Sequence, residues 1–357
     1  MAVNKIGVAL IGAGSMACTH MRSMAQTDHL VLRLVCDINQ TAAEHMAANY
    51  GEEGCRICSD YREAIVAADI DAVIIVTPNF LHHDILMDVI RAGKPYYLEK
   101  PIAMTLDEAL EMKTESEKKN LPNIIGFSYR FYPGFRYLKD LVNQGVLGDI
   151  RHIYSIYAHY PRPIPPRTWR FEKSKAGTGA LGDLGAHTFD SLRLLAGEVE
   201  SVWGMGGIVV PERANPQGYG MMPVDTDDYF NAVLRMQSGA VVTCSFSRLA
   251  YGRFNYQRYE IYGSQGSLVY ELEKAQEKIE VCSGDFYCDR YQFTPIDHTF
   301  APYDIPPRHE PSLMQAFENA ILGKDILGAG QIDDGYRVQQ VIEAASISAE
   351  SGVWQKI

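Results

Sequence analysis

The sequence lacks the features of a membrane-spanning, secreted or nucleic-acid-binding protein. No apolar run in its 357 residues approaches the roughly 20 residues that a membrane-spanning helix needs. The N-terminus leads directly into a strand-like segment, without the charged and then apolar plan of a secretion signal. Positive charge is scarce: 33 Lys and Arg face 44 Asp and Glu, for a net charge of −11. This balance argues against nucleic acid or an anionic membrane as a partner.

Cysteine is scarce as well. Seven cysteines, an odd number, are too few for a disulfide scaffold and indicate reduced thiols in a cytoplasm. Cys55 and Cys58 form a C-x-x-C pair, but Cys282 and Cys288 lie far along the chain at a different spacing. We therefore predict a cytoplasmic protein without a metal site. The sequence also contains neither an internal repeat nor a low-complexity segment.

A dinucleotide-binding turn lies near the N-terminus. The apolar segment 5–11 is followed by Gly12-Ala13-Gly14-Ser15-Met16-Ala17, the G-x-G-x-x-A form of the fingerprint. Gly12 permits the tight turn and Gly14 leaves room for a pyrophosphate, while the N–H groups from Ser15 and Met16 onward face the anion. Asp37 follows Gly14 by 23 residues, close to the spacing of an acid that binds a ribose hydroxyl. Because no Arg or Lys occupies 38–40, NAD is favoured over NADP.

The order of segments predicts two domains. Residues 5–127 alternate strand-like and helix-like segments, which is typical of a doubly wound parallel sheet of the Rossmann type. Beyond them, helices at 132–143 and 181–195 accompany seven strand candidates with alternating polarity, and one or two helices close the chain. This pattern predicts an α+β domain with a large, open-faced and mostly antiparallel sheet. We place an NAD-binding domain at 1–127 and a substrate-binding and oligomerisation domain at 128–357, whose last helix could pack back on the first domain.

Lys100, in Glu99-Lys100-Pro101, follows a short strand. Ligands of open α/β sheets lie at the carboxyl ends of the strands. An ammonium there could hydrogen-bond a substrate oxygen and stabilise the alkoxide that develops as hydride leaves. The alternative is a lysine that anchors a cofactor phosphate or pairs with Glu99.

A second candidate set lies in the glycine-rich segment 177–190. If one helix begins at residue 181, Asp183, His187 and Asp190 occupy one of its faces. An aspartate one turn from a histidine can fix its tautomer and raise its basicity, as in a general base. The alternatives are an ion pair on a solvated helix face, or a metal site completed by His82 or His83. Hydride transfer from an alcohol needs no metal when lysine and histidine handle the proton.

In combination, these motifs resemble those of one family. Ile11–Ala17, Thr77-Pro78-Asn79 with His82, Glu99-Lys100-Pro101 and Asp183-Leu184-Gly185-Ala186-His187 occur in the order found in the glucose–fructose oxidoreductase/inositol dehydrogenase/MocA family. The resemblance implies a Rossmann domain, then an α+β domain whose open-faced sheet assembles homodimers or homotetramers. It implies that Lys100, Asp183 and His187 are the catalytic set. It also implies that further residues contact the cofactor in addition to Gly12, Gly14, Ser15, Met16 and Asp37. These are Thr77, Asn79, His82, Glu99, Lys100, Arg130, Trp169 and Arg170.

We therefore expect an NAD(H)-dependent dehydrogenase or reductase that transfers a hydride between nicotinamide and a ring CH–OH of a sugar, glycoside or cyclitol. His187 would exchange the hydroxyl proton, Asp183 would orient His187 and contact the substrate, and Lys100 would polarise the reacting oxygen. Two alternatives stay open: an NAD-dependent glycosidase that uses transient oxidation, and a non-catalytic NAD-binding regulator. The proline-rich segment 160–167 is expected to be a substrate-rim loop.

Overall fold

The computed structural model describes residues 5–160, 165–274, 276–283, 300–306 and 311–357. The chain divides into two compact units. The first comprises Met1–Phe131 and Pro311–Gln339, and the second comprises Tyr132–Glu310 and Gln340–Ile357. The sequence predicted a boundary at 127/128. In the structure, the first unit extends four residues further and also takes in a late segment of the chain.

The first stretch of the chain alternates strands and helices. In chain order these are β1 (Ile6–Ile11), α1 (Ser15–Met24), β2 (Leu30–Cys36), α2 (Gln40–Tyr50), β3 (Gly51–Cys58), α3 (Tyr61–Val66), β4 (Ala72–Ile75), α4 (His82–Arg91), β5 (Tyr96–Leu98), α5 (Leu106–Lys119) and β6 (Asn123–Ile125).

The second stretch is richer in strands. It contains α6 (Pro133–Asn143), β7 (Ile150–Ala158), α7 (Lys173–Ala176), α8 (Ala180–Asp183), α9 (Gly185–Ala196), β8 (Val199–Gly207), β9 (Glu212–Ala214), β10 (Met221–Pro223), β11 (Tyr229–Met236), β12 (Val241–Ser247), β13 (Tyr256–Gly263), β14 (Gly266–Glu273), β15 (Gln276–Ser283), β16 (Ala301–Tyr303), α10 (Leu313–Ile321), α11 (Ile332–Ser351) and β17 (Gln355–Lys356).

The first unit contains the predicted doubly wound sheet. Its six parallel strands have the order β3-β2-β1-β4-β5-β6, so the strand order reverses next to β1, where such sheets bind ligands. The central strands are buried along their whole length, as expected for a sheet covered by helices. Helix α10 joins this core late in the chain, and its Phe317 packs edge-on against Tyr97 with ring centroids 6.3 Å apart.

Strand β3 and helix α3 were absent from the sequence-based prediction. The residues of β3, Gly-Glu-Glu-Gly-Cys-Arg-Ile-Cys, contain no apolar run, and all of them are at least partly exposed. This strand lies at the edge of the sheet, so only one neighbour and little burial were needed to form it. An edge strand of this composition carries little hydrophobic signal.

The second unit is built on a nine-stranded sheet of order β16-β15-β14-β13-β7-β12-β11-β8-β17. Its pairs are antiparallel except for the parallel pair of β12 and β7, in agreement with the predicted, mostly antiparallel sheet. One face is covered by helices: Phe189 of α9 contacts Phe246 of β12 edge-on, with ring centroids 5.6 Å apart. No helix in the described part of the chain is both long and apolar enough to cross a membrane.

Candidate functional site

The glycine turn after β1 has the geometry that the fingerprint predicts. Gly12 has φ +97°, and a Cβ at this position would lie 2.6 Å from the carbonyl oxygen of Val76, so any other residue would clash. A Cβ at Gly14 would meet no protein atom within 4 Å. The space over Gly14 is therefore open, as the close approach of a pyrophosphate requires. Ala17, in the first turn of α1, is fully buried.

The start of α1 is open to an anion. Gly14 is its N-cap, provides no side-chain cap, and is followed by the exposed Ser15 and Met16. The first N–H groups of a helix carry partial positive charge and need a partner. With the space over Gly14, these features fit the pyrophosphate of a dinucleotide.

Asp37, at the end of β2, has a carboxylate held by backbone groups. Oδ2 accepts a 2.6 Å hydrogen bond from Ala13 N in the glycine turn, and Oδ1 accepts a 2.7 Å bond from Asn39 N. Each carboxylate oxygen can accept a second hydrogen bond. The partly exposed carboxylate is therefore fixed beside the glycine turn and retains capacity for a ribose hydroxyl.

The segment after β4 contains Thr77, Asn79 and His82. Asn79 is buried and begins a turn of 3₁₀-helix that leads into α4. His82 is fully buried, with Nε2 2.9 Å from the Thr77 carbonyl oxygen and Nδ1 2.9 Å from the Pro101 carbonyl oxygen. Burial lowers the pKa of His82, and the two carbonyls oppose that effect. The cofactor contact that the resemblance implies for His82 stays a prediction, and in the structure its imidazole lies between two backbone segments.

The Glu99-Lys100-Pro101 segment follows β5 and has a cis Lys100–Pro101 peptide bond. The buried Glu99 carboxylate lies 2.5 Å from His20 Nε2 and accepts hydrogen bonds from the Tyr97 hydroxyl at 3.1 Å and from Lys100 N at 3.1 Å. Burial raises the pKa of Tyr97 well above its usual value, so its hydroxyl remains a donor. Lys100 is half-buried beside this network.

Arg130, just after β6, is buried and contacts the segment that leads into the last helix. Its Nη2 lies 3.1 Å from Asp334 Oδ1, its Nη1 donates to the Gly328 carbonyl at 3.3 Å, and the guanidinium lies over the Phe127 ring. These contacts tie residue 130 to the late segment of the first unit.

In the second unit, the predicted helix from residue 181 is in fact two helices. Helix α8 ends at Asp183 and α9 begins at Gly185. The start of α8 is held by Asp227, a residue distant in the sequence. Its carboxylate accepts hydrogen bonds from Gly179 N at 2.5 Å and from Leu181 N at 2.8 Å. The i, i+4 argument for Asp183 and His187 assumed one continuous helix, whereas in the structure Leu184 separates α8 from α9.

Asp183 is bound by an arginine that the sequence analysis did not identify. Arg248 Nη2 donates to Asp183 Oδ2 at 3.2 Å and to the Gly179 carbonyl at 2.9 Å, and the guanidinium is buried. Guanidinium–carboxylate pairs are strong and directional. Arg248 therefore fixes both the turn before α8 and the carboxylate at its end.

His187 and Asp190 lie in the buried part of α9. The Tyr157 ring is the aromatic neighbour of His187, with ring centroids 6.4 Å apart. Arg193 Nη1 approaches Asp190 Oδ1 at 4.0 Å. Burial of His187 contradicts the alternative that it forms an ion pair with an aspartate on a solvated helix face.

The segment before α7 contains the other residues that the resemblance assigned to the cofactor. Trp169 and the exposed Arg170 lie in a 3₁₀ turn, where the Arg170 guanidinium stacks 4.4 Å from the Trp169 ring. Of the expected substrate-rim loop, residues 161–164 lie outside the described residues. Arg167 is anchored within the protein, donating to Glu172 at 2.6 Å and to the Pro223 carbonyl at 2.6 Å.

His20 and Arg248 could have been found by periodicity. Residues 242, 244, 246 and 248 alternate inward on β12 and just beyond it, and all are buried, so an arginine at 248 needs a buried partner. His20 lies on the same stripe of α1 as Ala17, Met21 and Met24. A polar residue on a buried stripe is a sign of a specific hydrogen bond. Asp227 gives no comparable signal.

The cysteines and the remaining acidic residues offer no metal site within the described ranges, where no group of three or more His, Cys, Asp or Glu side chains could hold a metal ion. Cys55 and Cys58 lie on β3 and donate to the backbone carbonyls of Arg56 and Asp60. Burial raises the pKa of both thiols, which keeps them protonated.

The fold and the glycine turn define a protein with a dinucleotide-binding Rossmann domain. Comparison with known proteins is consistent with this class: residues 6–127 match the family model "Oxidoreductase family, NAD-binding Rossmann fold", and residues 135–269 match "GFO/IDH/MocA C-terminal domain". The chain belongs to the GFO/IDH/MocA oxidoreductase family.

Similar proteins include several sugar and cyclitol dehydrogenases. Levoglucosan dehydrogenase of Pseudarthrobacter phenanthrenivorans is 30% identical, covering 99% of this chain and 98% of that protein. Myo-inositol 2-dehydrogenase of Thermotoga maritima is 29% identical over 74% of each chain. A levoglucosan dehydrogenase structure in complex with NADH and levoglucosan superposes with a TM-score of 0.88 at 30% identity, covering 99% of this chain and 100% of that one.

Proposed function

We propose that the protein is an NAD(H)-dependent dehydrogenase or reductase acting on a ring CH–OH of a sugar, glycoside or cyclitol. The observation that carries the proposal is the position of Lys100 at the carboxyl end of β5, the edge of the sheet from which the glycine turn and Asp37 also emerge. That edge is where doubly wound sheets bind nucleotides. The similarity to sugar and cyclitol dehydrogenases supports the substrate class.

The cofactor side of the proposal rests on the first unit. The open start of α1 would hold the pyrophosphate, and the fixed carboxylate of Asp37 would accept a hydrogen bond from a ribose hydroxyl. The segments containing Thr77, Asn79, Glu99 and Lys100, and the residues Arg130, Trp169 and Arg170, are proposed to shape the rest of the cofactor site. Bound NAD would supply the hydride acceptor.

The proton chemistry is assigned to three side chains. Lys100 donates a hydrogen bond to the reacting hydroxyl oxygen and stabilises the negative charge that develops on it. His187 takes the hydroxyl proton at an imidazole nitrogen, and returns it in the reductive direction. Asp183, fixed by Arg248, orients His187 and accepts a hydrogen bond from a neighbouring substrate hydroxyl.

A substrate panel tests this function. Purified protein with NAD is incubated with levoglucosan, myo-inositol, glucose, glucose 6-phosphate and alkyl glucosides, and NADH is followed by its absorbance. We expect NADH formation with at least one polyol, faster with NAD than with NADP. In the same reactions, release of the alkyl group without NADH would identify the NAD-dependent glycosidase instead. Binding of NADH without turnover of any polyol in either direction would favour a regulator.

The exposed face of the nine-stranded sheet is proposed as the surface for a second copy of the chain. Its outward side chains include Tyr154 (47% exposed) and Ile156 (38%) on β7, Val241 (39%) on β12 and Met205 (47%) on β8, strands whose inward residues are buried. A sheet face that exposes several large apolar side chains is typical of a subunit interface.

The oligomeric state checks this surface. We expect the wild type to elute from size-exclusion chromatography with light scattering as a dimer or tetramer, and Ile156→Asp to shift it toward the monomer. Ile347→Asp, at an exposed position of α11, is the matched control and should leave the mass unchanged. A wild-type monomer at micromolar concentration would refute the proposal.

A further inference from the structure

Two buried histidines hold the backbone on either side of Lys100, and neither belongs to the catalytic set. On one side, His20 of α1 contacts Glu99, and the same carboxylate accepts the hydrogen bond of Lys100 N. On the other side, His82 of α4 contacts the carbonyl oxygen of Pro101. All of these groups lie within the first unit.

The contact of His20 with Glu99 is direct and takes place in the protein core. Nε2 lies 2.5 Å from Glu99 Oε1, and the Tyr97 hydroxyl lies 3.3 Å from the same nitrogen while donating to the same oxygen. Around a buried carboxylate, each lost donor leaves an uncompensated charge, so the arrangement is held firmly. Loss of the His20 donor would let Glu99 turn and release Lys100 N.

The contact of His82 is with the main chain. Its Nδ1 lies 2.9 Å from the carbonyl oxygen of Pro101, and its Nε2 lies 2.9 Å from the carbonyl oxygen of Thr77, in the segment proposed to line the cofactor. A neutral imidazole donates from one nitrogen only, and we assign that proton to Nδ1. The two ring nitrogens thus serve different loops. Substitution by Asn or Gln can test the two ring nitrogens separately. The amide nitrogen of Asn lies about where Nδ1 does, and that of Gln lies about where Nε2 does.

We propose that His20 and His82 are positioning residues that set the location of Lys100, His20 through its Nε2 and His82 through its Nδ1. This inference rests on the proposed role of Lys100. It makes a crossed prediction: at position 20 Gln preserves the relevant donor and Asn does not, whereas at position 82 Asn preserves it and Gln does not. A role in core packing alone would give no such crossing.

Four variants, His20→Gln, His20→Asn, His82→Asn and His82→Gln, test the proposal with two readouts. The first needs no substrate: in a brief acetic anhydride treatment, the acetylation rate of Lys100 is measured by mass spectrometry relative to the exposed Lys118 of the same digest. The second is kcat with the polyol that gives the highest turnover in the panel. Small displacements of a catalytic group cost about 10- to 100-fold in rate. We therefore expect kcat to fall by such a factor in His20→Asn and His82→Gln. The other two variants should stay within about threefold of wild type.

Thermal midpoints and NADH binding, followed by tryptophan fluorescence, accompany each variant. His83 provides the matched control, since it is adjacent to His82 on α4 but partly exposed and contacts Asp84 and Glu111. His83→Asn and His83→Gln should change neither readout. In the variants that lose turnover, we expect the NADH dissociation constant to change by less than about threefold, since the glycine turn and Asp37 stay intact.

Equal Lys100 labelling and equal kcat for the Asn and Gln variants at each position would overturn the proposal. So would losses that simply follow the thermal midpoint. If Lys100→Met retains wild-type turnover, the proposed function of Lys100 fails. If Lys100→Met is inactive but the crossing is absent, only the positioning role fails.

Discussion

The two units hold their proposed catalytic groups in different ways. In the first unit, the contacts reach the backbone around Lys100, through Glu99 and the Pro101 carbonyl. In the second unit, a charged side chain binds the proposed catalytic carboxylate itself, since Arg248 donates to Asp183. On the proposed roles, contacts in the first unit set the position of Lys100, whereas those in the second unit also set the charge around Asp183.

Mutations in the two units should therefore have different kinds of effect. Loss of a contact to the backbone displaces Lys100 but leaves its ammonium chemically unchanged. Loss of Arg248 leaves a carboxylate without its cation and also releases the Gly179 carbonyl. Mutations around Lys100 should therefore change turnover through the position of its ammonium group. Mutations around Asp183 should change turnover through both the position and the charge of the site.

The largest effect is expected for Lys100→Met. Removal of the ammonium takes away a contact that is strongest in the transition state, so kcat should fall about 1,000-fold or more with little change in NADH affinity. Steady-state kinetics and a fluorescence titration with NADH check this. Lys118→Met, at an exposed position of α5 paired with Glu115, should behave as wild type. Wild-type turnover in Lys100→Met would show that Lys100 is not a catalytic group, and the comparison of the two units would then have no basis.

Arg248→Gln should lower kcat by about 10- to 100-fold, because Asp183 loses the group that fixes it. Arg248→Lys keeps the charge, but its shorter side chain lacks the guanidinium Nη2 that donates to both Asp183 and Gly179, and it should recover only part of the activity. The exposed Arg235, which stacks on Trp354, provides the control variant Arg235→Gln. Full recovery by lysine would mean that charge alone matters at this position.

Asp37→Ala should act on cofactor binding rather than on turnover. The carboxylate bridges the glycine turn and Asn39, so its loss should weaken NAD binding about tenfold, with kcat at saturating NAD nearly unchanged. The ratio of NADP to NAD affinity should rise, because the anion facing a 2′-phosphate is gone. Titrations with both cofactors measure this, and Asp84→Ala, an exposed aspartate on α4, is the control. An unchanged ratio would show that Asp37 does not determine the choice between NAD and NADP.

Much of the first unit could be predicted because its signals are local. The glycine turn, the apolar strands and the caps at Asn39 and Thr105 each depend on residues a few positions apart. The contacts that fix the candidate site are different: His20 and Glu99 are 79 residues apart, and Arg248 and Asp183 are 65 apart. No local pattern specifies such pairs. The break between α8 and α9 was missed for the same reason, since Asp227 anchors α8 from 46 residues away.

The smallest effect is expected where the contacts belong to a single helix. Thr105 caps α5, with its Oγ1 accepting from Glu108 N at 3.2 Å while Glu108 accepts from Met104 N at 2.9 Å. Thr105→Ala should lower the free energy of unfolding by about 1 kcal/mol without changing kcat. Thr114 lies inside the same helix, where its hydroxyl donates to the Leu110 carbonyl at 2.7 Å. Thr114→Ala should be neutral or slightly stabilising, because alanine has the higher helix propensity.

Urea denaturation of the two threonine variants, read beside their kcat values, measures this difference. The cap at Thr105 needs only its own helix, whereas the Glu99 network needs α1, β5 and the Lys100 loop together. A local cap should therefore change stability alone, and the long-range network should change turnover. A drop in kcat for Thr105→Ala at temperatures where the protein stays folded would show that α5 is coupled to the site, and the distinction between the two kinds of contact would then be lost.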